Sequence, residues 1–242
     1  MSLGSDLLAR LRRGLGPRGG QLVNRLLYEV VYSLPAVERL GFFNGGFAPP
    51  PADMPRAPAL VGAPYQAALY DLALRVLPGD RPAPRRLLDI GCGTGGGLLQ
   101  AAATFPAAQL AGADQSRRAI GRAGRRLAAA GVAAELARAG GDRLPFADAG
   151  FDRIVSIGTI TYVGFDAFMR EAARLLAPGG LLSVTGGQGD GSLLWTQARF
   201  ARLARENGLA LLAFEDTTAG CFDAMATQAE ANAALVARLP SP

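Results

Sequence analysis

From Arg86 onward, short apolar runs alternate with stretches of helical periodicity, and this alternation constrains the fold more than any other feature of the chain. "RLLDI" is followed by "GGGLLQAAATF", "AQLAGAD" by "SRRAIGRAGRRLAAAG", "FDRIVSI" by "FDAFMREAARLLA" and "GLLSVTG" by "SLLWTQARFARLAREN", with "LALLAFE" closing the series. Short apolar runs bounded by glycine or an acid read as buried strands, and apolar residues every three or four positions read as helices. Strands separated by helices are joined by crossovers, which makes them parallel. The chain is therefore expected to be α/β with an open, doubly wound sheet. The last candidate strand is "AALVARLP", a short seventh strand or a helix in its place.

The residues before Arg86 read differently. "LLARLRR" and "LVNRLLYEVVYSL" have helical spacing, broken at Gly14 to Gly20 and at Pro35, and "GFFNGGFAPPPADMPRAP" is too rich in glycine and proline for regular structure. "YQAALYDLALRVL" is helical again. Residues 1–84 are expected to form a helical amino-terminal extension and lid, and residues 85–242 the principal domain.

Several functional classes drop out on composition. None of the 242 residues is histidine or lysine, so every basic side chain is arginine and histidine catalysis is excluded. The formal net charge of +5 bears on solubility before it bears on partners. Arg118, Arg122 and Arg125 share a helix face, but no aromatic residues interleave with them to stack on bases, so nucleic acid is not expected. Cys92 and Cys221 supply neither a disulfide framework nor a metal-ligand spacing, which fits a reducing cytoplasm and no metal. No run approaches the roughly 18 apolar residues of a membrane span. Arg10, Arg12 and Arg13 beside leucines would suit peripheral contact with an anionic membrane, although packing against the domain is the simpler account.

The segment "LLDIGCGTGGG" places five glycines within seven residues directly after a predicted strand. Glycine there lets the backbone reverse and approach a ligand, while the helix that starts near Gly95 points free amides the same way. Gly91, Gly93 and Gly96 satisfy G-x-G-x-x-G, and Asp89, Gly91, Gly93 and Gly95 satisfy acid-x-G-x-G-x-G, so the loop alone leaves two cofactor classes open.

The surrounding segments choose between them. "LLDIGCGTG" resembles the first motif of class I S-adenosylmethionine-dependent methyltransferases, and "LAGADQS", "GGDRLPFADAGFD", "LLAPGGLLSV" and "GLALLAFEDTT" are similar to the later motifs in order. The resemblance implies a Rossmann-like sheet with S-adenosylmethionine as cofactor. It implies that Asp89, Gly91, Cys92, Gly93 and Gly95 surround the cofactor, with Cys92 a packing residue that presents its backbone. Asp114 would accept hydrogen bonds from both ribose hydroxyls beside Gln115. Asp142 and the Arg143 amide would hold the adenine, and Ile157 is a further cofactor-binding residue.

"FFNGGFAPP" resembles an Asn-x-Gly-aromatic segment of natural-product, quinone and lipid methyltransferases. Asn44, Gly46 and Phe47 keep that pattern, while Gly45 stands where relatives place an aromatic, so Phe42 or Phe43 would have to replace that wall. Tyr28, Tyr32, Phe42, Phe43 and Phe47 suggest an apolar pocket, and Tyr32, Phe43, Asn44, Phe47 and Tyr162 are the acceptor-pocket candidates. Thr161 and Tyr162 occupy positions where many relatives carry histidine, and Tyr162 is read first as pocket wall and second as acid-base catalyst. The resemblance implies methyl transfer to a small, largely apolar acceptor of polyketide, terpenoid, quinone or lipid type. A catalytically silent binding or scaffolding protein and an NAD-dependent oxidoreductase are the rivals.

Overall fold

The computed structural model describes residues 29, 30, 32, 44–60, 62–75, 82–186 and 196–236. Helix α1 (Pro64–Arg75) precedes strand β1 (Arg86–Ile90), and α2 (Gly96–Thr104), β2 (Gln109–Asp114), α3 (Arg117–Ala129) and β3 (Ala134–Arg138) come next. The chain continues through β4 (Phe151–Ile157), α4 (Ile160–Val163), α5 (Phe165–Leu175), β5 (Leu176–Thr185), α6 (Gln197–Glu206) and α7 (Thr218–Val236). All the strands pair in parallel, in the order β3-β2-β1-β4-β5. The order reverses between β1 and β4, which is where sheets of this kind open a crevice at their carboxyl ends.

Both faces of the sheet are covered. Side chains alternate along a strand, so Leu87 and Asp89 turn to one face and Leu88 and Ile90 to the other. Leu87 joins Leu74 of α1, Leu98 and Leu99 of α2 and Leu127 of α3 in one core. Leu88 and Ile90 join Ile154, Phe168 and Leu175, with Phe200 and Leu203 of α6, in the second. Helix α1 is part of the first core: Ala68 and Leu74 are fully buried. Ser116 and Thr196 cap α3 and α6 by accepting from the amides of Ala119 and Arg199, the usual way to satisfy a helix's free first-turn donors.

Three expectations need correction or completion. "LALLAFE" forms no strand: 209–217 runs without regular structure, with Leu212 and Phe214 exposed, Leu209 and Leu211 packed on the second core and the Phe214 ring tilted against Phe200. A strand exists only by pairing, and the next element along the chain is the helix α7, not a returning strand. The described part of "AALVARLP" lies inside α7, so the helical alternative is the one realised. Strand β3 was absent from the apolar pattern because this edge strand is alanine-rich and none of its residues is fully buried. The proposed helices between Ser5 and Leu40 lie outside the described residues except at Glu29, Val30 and Tyr32, as does the 192–195 start of the "SLLWTQ" helix. Among the described residues no helix is long and apolar enough to cross a membrane.

Candidate active site

A cleft of about 530 Å³ opens at the carboxyl ends of the strands. Residues at or just after each strand end line it: Gly91 after β1, Asp114 and Gln115 at β2, Gly140 to Asp142 after β3, Ile157 to Thr159 and Thr161 at and after β4, and Thr185 and Gly186 at β5.

The glycines of the first loop do separate jobs. Gly91 has φ +81°, and a Cβ there would stand 1.8 Å from Thr159 Oγ1, so both conformation and space demand glycine. Gly95 caps α2 in the left-handed region with α3 against it: a Cβ would lie 3.2 Å from the Ala123 Cα. Of the predicted loop residues, only Gly91 lines the cleft. Cys92 is buried, with its sulfur beside Gly112. The amides of Gly91 and Cys92 donate to the Ala113 carbonyl at 2.7 and 3.0 Å, which ties the loop to β2.

Asp89 lies outside the cleft lining, buried beneath α1. Tyr70 donates its hydroxyl to Asp89 Oδ2 at 3.1 Å, and Asp89 Oδ1 is buried without a hydrogen-bond partner. Burial pushes this carboxyl up to about 7; the Tyr70 hydrogen bond opposes that rise and the charge of Asp114 adds to it.

Asp114 ends β2 with its carboxylate held on both sides. Oδ2 accepts from the Gly93 amide at 3.1 Å and Oδ1 from the Ser116 amide at 2.8 Å. Burial raises it to about 6 against those two amides, and Glu29 contributes further negative charge. Glu29 reaches the start of α3, where its Oε1 accepts from the Arg117 amide at 2.8 Å. Tyr32 is buried on the cleft wall, its hydroxyl 3.1 Å from where a Cβ on Gly93 would be.

Asp142 lines the cleft as an exposed side chain, whereas Arg143 is exposed outside it with its amide donating to the Gly140 carbonyl at 3.2 Å. The loop that carries them is clamped from α5. Glu171 accepts from the Leu144 amide at 2.6 Å, while Arg174 donates to the carbonyls of Leu144 and Phe146 and pairs with Glu171 and Asp148. Burial pushes Glu171 upward, but the Arg174 and Leu144 hydrogen bonds win and hold its carboxyl below the usual range. The resemblance did not single out this clamp, because it lies a helix away from the motif it supports.

On the far side of the cleft, Asn44 accepts from the Gly46 amide at 2.9 Å and donates to the Gln66 carbonyl at 3.4 Å, folding its segment onto α1. Phe47 packs against the first core and α7 at Gly220 and is not part of the lining. Tyr162 lines the cleft at 38% exposure. Phe43 lies outside the described residues, as do Tyr28 and Phe42. Sequence reasoning missed Thr217, Cys221, Phe222 and Met225, which line the cleft from α7 and the turn before it. Their only signal was an apolar spacing that any packed helix also shows.

Residues 87–180 match the methyltransferase domain family. The chain is 30% identical over 190 residues to the fatty-acid O-methyltransferase of Mycolicibacterium smegmatis, a match covering 76% of this chain and 68% of that protein. It is 34% identical over 121 residues to the demethylmenaquinone methyltransferase of Thermus thermophilus, spanning about half of each (50% and 52%). Among solved structures, the [4+2]-cyclase SpnF superposes with a TM-score of 0.66 at 24% identity, over 88% of this chain and 81% of that one. Geranyl diphosphate C-methyltransferase from Streptomyces coelicolor superposes with a TM-score of 0.65 at 18% identity, over 83% and 87%. At those identities the two structures speak to the fold alone. With the glycine loop at the switch of the sheet and the relationship to the Mycolicibacterium enzyme running through most of both proteins, the chain belongs to the class I S-adenosylmethionine-dependent methyltransferases.

Proposed function

We propose that the cleft holds S-adenosylmethionine at the strand ends and a small, largely apolar acceptor beneath the segment around Asn44, and that the chain transfers the methyl group between them. The observation that carries this reading is the distribution of charge: the charged side chains lining the cleft, among the described residues, are Asp114 and Asp142 at the strand ends, and the opposite wall is uncharged. Asp114 would accept from the ribose diol with the lone pairs its two amide donors leave available. Asp142 would meet the adenine amine. When bound, the cofactor supplies an electrophilic methyl group on a sulfonium, which departs as the neutral thioether as the acceptor's lone pair takes the methyl.

The chain's own contribution is placement. No histidine exists to remove a proton. The reading therefore favours an acceptor whose nucleophile arrives ready, as a carboxylate does, and the name of the Mycolicibacterium relative agrees with such an acceptor. Alignment of nucleophile and methyl in a closed site then supplies much of the acceleration. The contacts of Glu29 and Tyr32 at the strand ends support an amino-terminal segment that covers the cofactor and excludes water.

Calorimetry with S-adenosylmethionine, its demethylated product and NAD tests the reading. The two sulfur nucleosides are expected to bind and NAD is not, because among the described residues the cleft is lined by two acids, Asp114 and Asp142, and by no cation to face a pyrophosphate. Tighter binding of NAD would overturn the assignment.

A further inference from the structure

Resting on the acceptor side of that reading, we infer that α7 and the 44–48 segment form one acceptor-selecting roof. In it Met225 takes the place of the side chain missing at Gly45, and the roof fits an acceptor with an extended apolar body lying between Tyr162 and Phe222.

The two parts come from distant stretches of the chain and are stitched together at several points. The Ala48 amide donates to the Gly220 carbonyl at 2.9 Å, and Gln228 Nε2 donates to the Gly45 carbonyl at 3.3 Å. Gln66 of α1 donates to Gln228 Oε1. The helix approaches this closely because residue 220 is glycine: a Cβ there would meet the Phe47 ring at 2.4 Å. Ala224 is fully buried beneath the same helix. Helix α7 is thus docked by its small residues.

Its large residues point elsewhere. Phe222 and Met225 are 65% and 52% exposed, and both line the cleft. Large apolar side chains left open around a cavity mark a surface that an apolar ligand covers. Met225 Sδ lies 3.5 Å from where a Cβ on Gly45 would project, so the thioether fills the direction that a side chain at 45 would take. Methionine suits that position because its unbranched chain adapts to the body beside it. Thr217, Thr218 and Cys221 complete this wall, and among the described residues nothing on it carries a charge to pair with an ionic headgroup. The acceptor's apolar part lies here, and its reacting atom lies toward Gly91 and Asp114.

The test uses the full chain and N-phenyl-1-naphthylamine, a neutral apolar probe whose fluorescence rises on leaving water, titrated with and without S-adenosylhomocysteine. Phe222→Ala and Met225→Ala are each expected to weaken probe binding about three- to tenfold by removing apolar contact. Gly45→Phe, whose ring would compete with Met225 for the space beyond the Cβ, should weaken it about tenfold, and Gly45→Phe combined with Met225→Ala should return to within about threefold of wild type, the non-additivity expected of neighbours sharing one space. Both alanine sites are more than half exposed, so folding is not at stake. Absence of probe binding by the wild type, or additive effects of Gly45→Phe and Met225→Ala, would overturn the inference. Loss of S-adenosylhomocysteine binding by the wild type strikes the methyltransferase reading instead, because the probe titration without nucleoside is decided independently.

Discussion

The strand-end side of the cleft and its roof are built by different means. At the strand ends, the polar groups sit on or just after strands, and Asp114 and the first loop are held by the adjacent loop or strand: Gly93 and Ser116 on Asp114, Ala113 of β2 on the loop amides. At the roof, the partners are separated by 162 positions between Gln66 and Gln228, and by 183 between Gly45 and Gln228. The first region is positioned by a parallel sheet covered on both faces. The second is an assembly of two outlying segments whose shape depends on small residues meeting large ones. A cofactor common to a whole family suits the part built on the sheet, and an acceptor that differs between relatives suits the part assembled from outlying segments.

The largest effect that would sharpen this contrast is expected at Asp114. On the proposed reading Asp114→Ala would remove two charge-assisted bonds to the ribose, and affinity for S-adenosylhomocysteine should fall by about 3 kcal/mol by calorimetry. The roof substitutions at Phe222 and Met225 should leave that affinity within about twofold, or a few tenths of a kcal/mol. Unchanged binding in Asp114→Ala would break the comparison outright.

A smaller effect is expected in the dependence of stability on pH. The folded protein keeps the Asp89 proton up to about 7, whereas an unfolded carboxyl releases it near 3.8. Between those limits the folded state binds more protons, so this group's contribution to stability is complete below about pH 4 and is lost as pH rises through 7. Asp114, raised to about 6, acts in the same direction. Denaturant titrations of the cofactor-free protein should show stability falling from pH 5 to pH 7.5, and Asp89→Asn should flatten that fall by on the order of 2 kcal/mol. A wild-type profile that rises over this range would show that the end of β1 holds no buried acid of this kind.

The smallest effect is expected at Tyr162. If its ring is a wall of the acceptor site and its hydroxyl moves no proton, Tyr162→Phe should keep turnover within about fivefold of wild type, with cofactor affinity unchanged. A loss of about a hundredfold in turnover across the pH range would be of general-base size and would move Tyr162 from the wall to the chemistry.

Much of the strand-end region is legible in the sequence. Asp114, Gln115, Asp142 and Ile157 all line the cleft, since strand ends in a parallel sheet converge at one edge whatever the details. Other residues of the same motifs serve the fold around that edge. Gly95 makes room for α3, and Cys92 fills the space beside Gly112. A motif records which residues recur together without saying which of them face the ligand and which make room behind it.

What the sequence by itself determined is whatever local periodicity and backbone freedom dictate: the parallel order of strand and helix, the loop that reverses at Gly91, and a chemistry without histidine. Those depend on residues within a few positions of one another. Tertiary structure alone decided that "LALLAFE" stays out of the sheet, since an apolar run becomes a strand only when a partner lies beside it. It decided that Tyr70 sits on Asp89, because the face to which Asp89 turns is set by alternation but the helix covering that face is set by packing. It also decided that Met225 fills the room left by Gly45, 180 positions away along the chain, because van der Waals contact depends on the path of the whole chain and leaves no trace in the spacing of either segment.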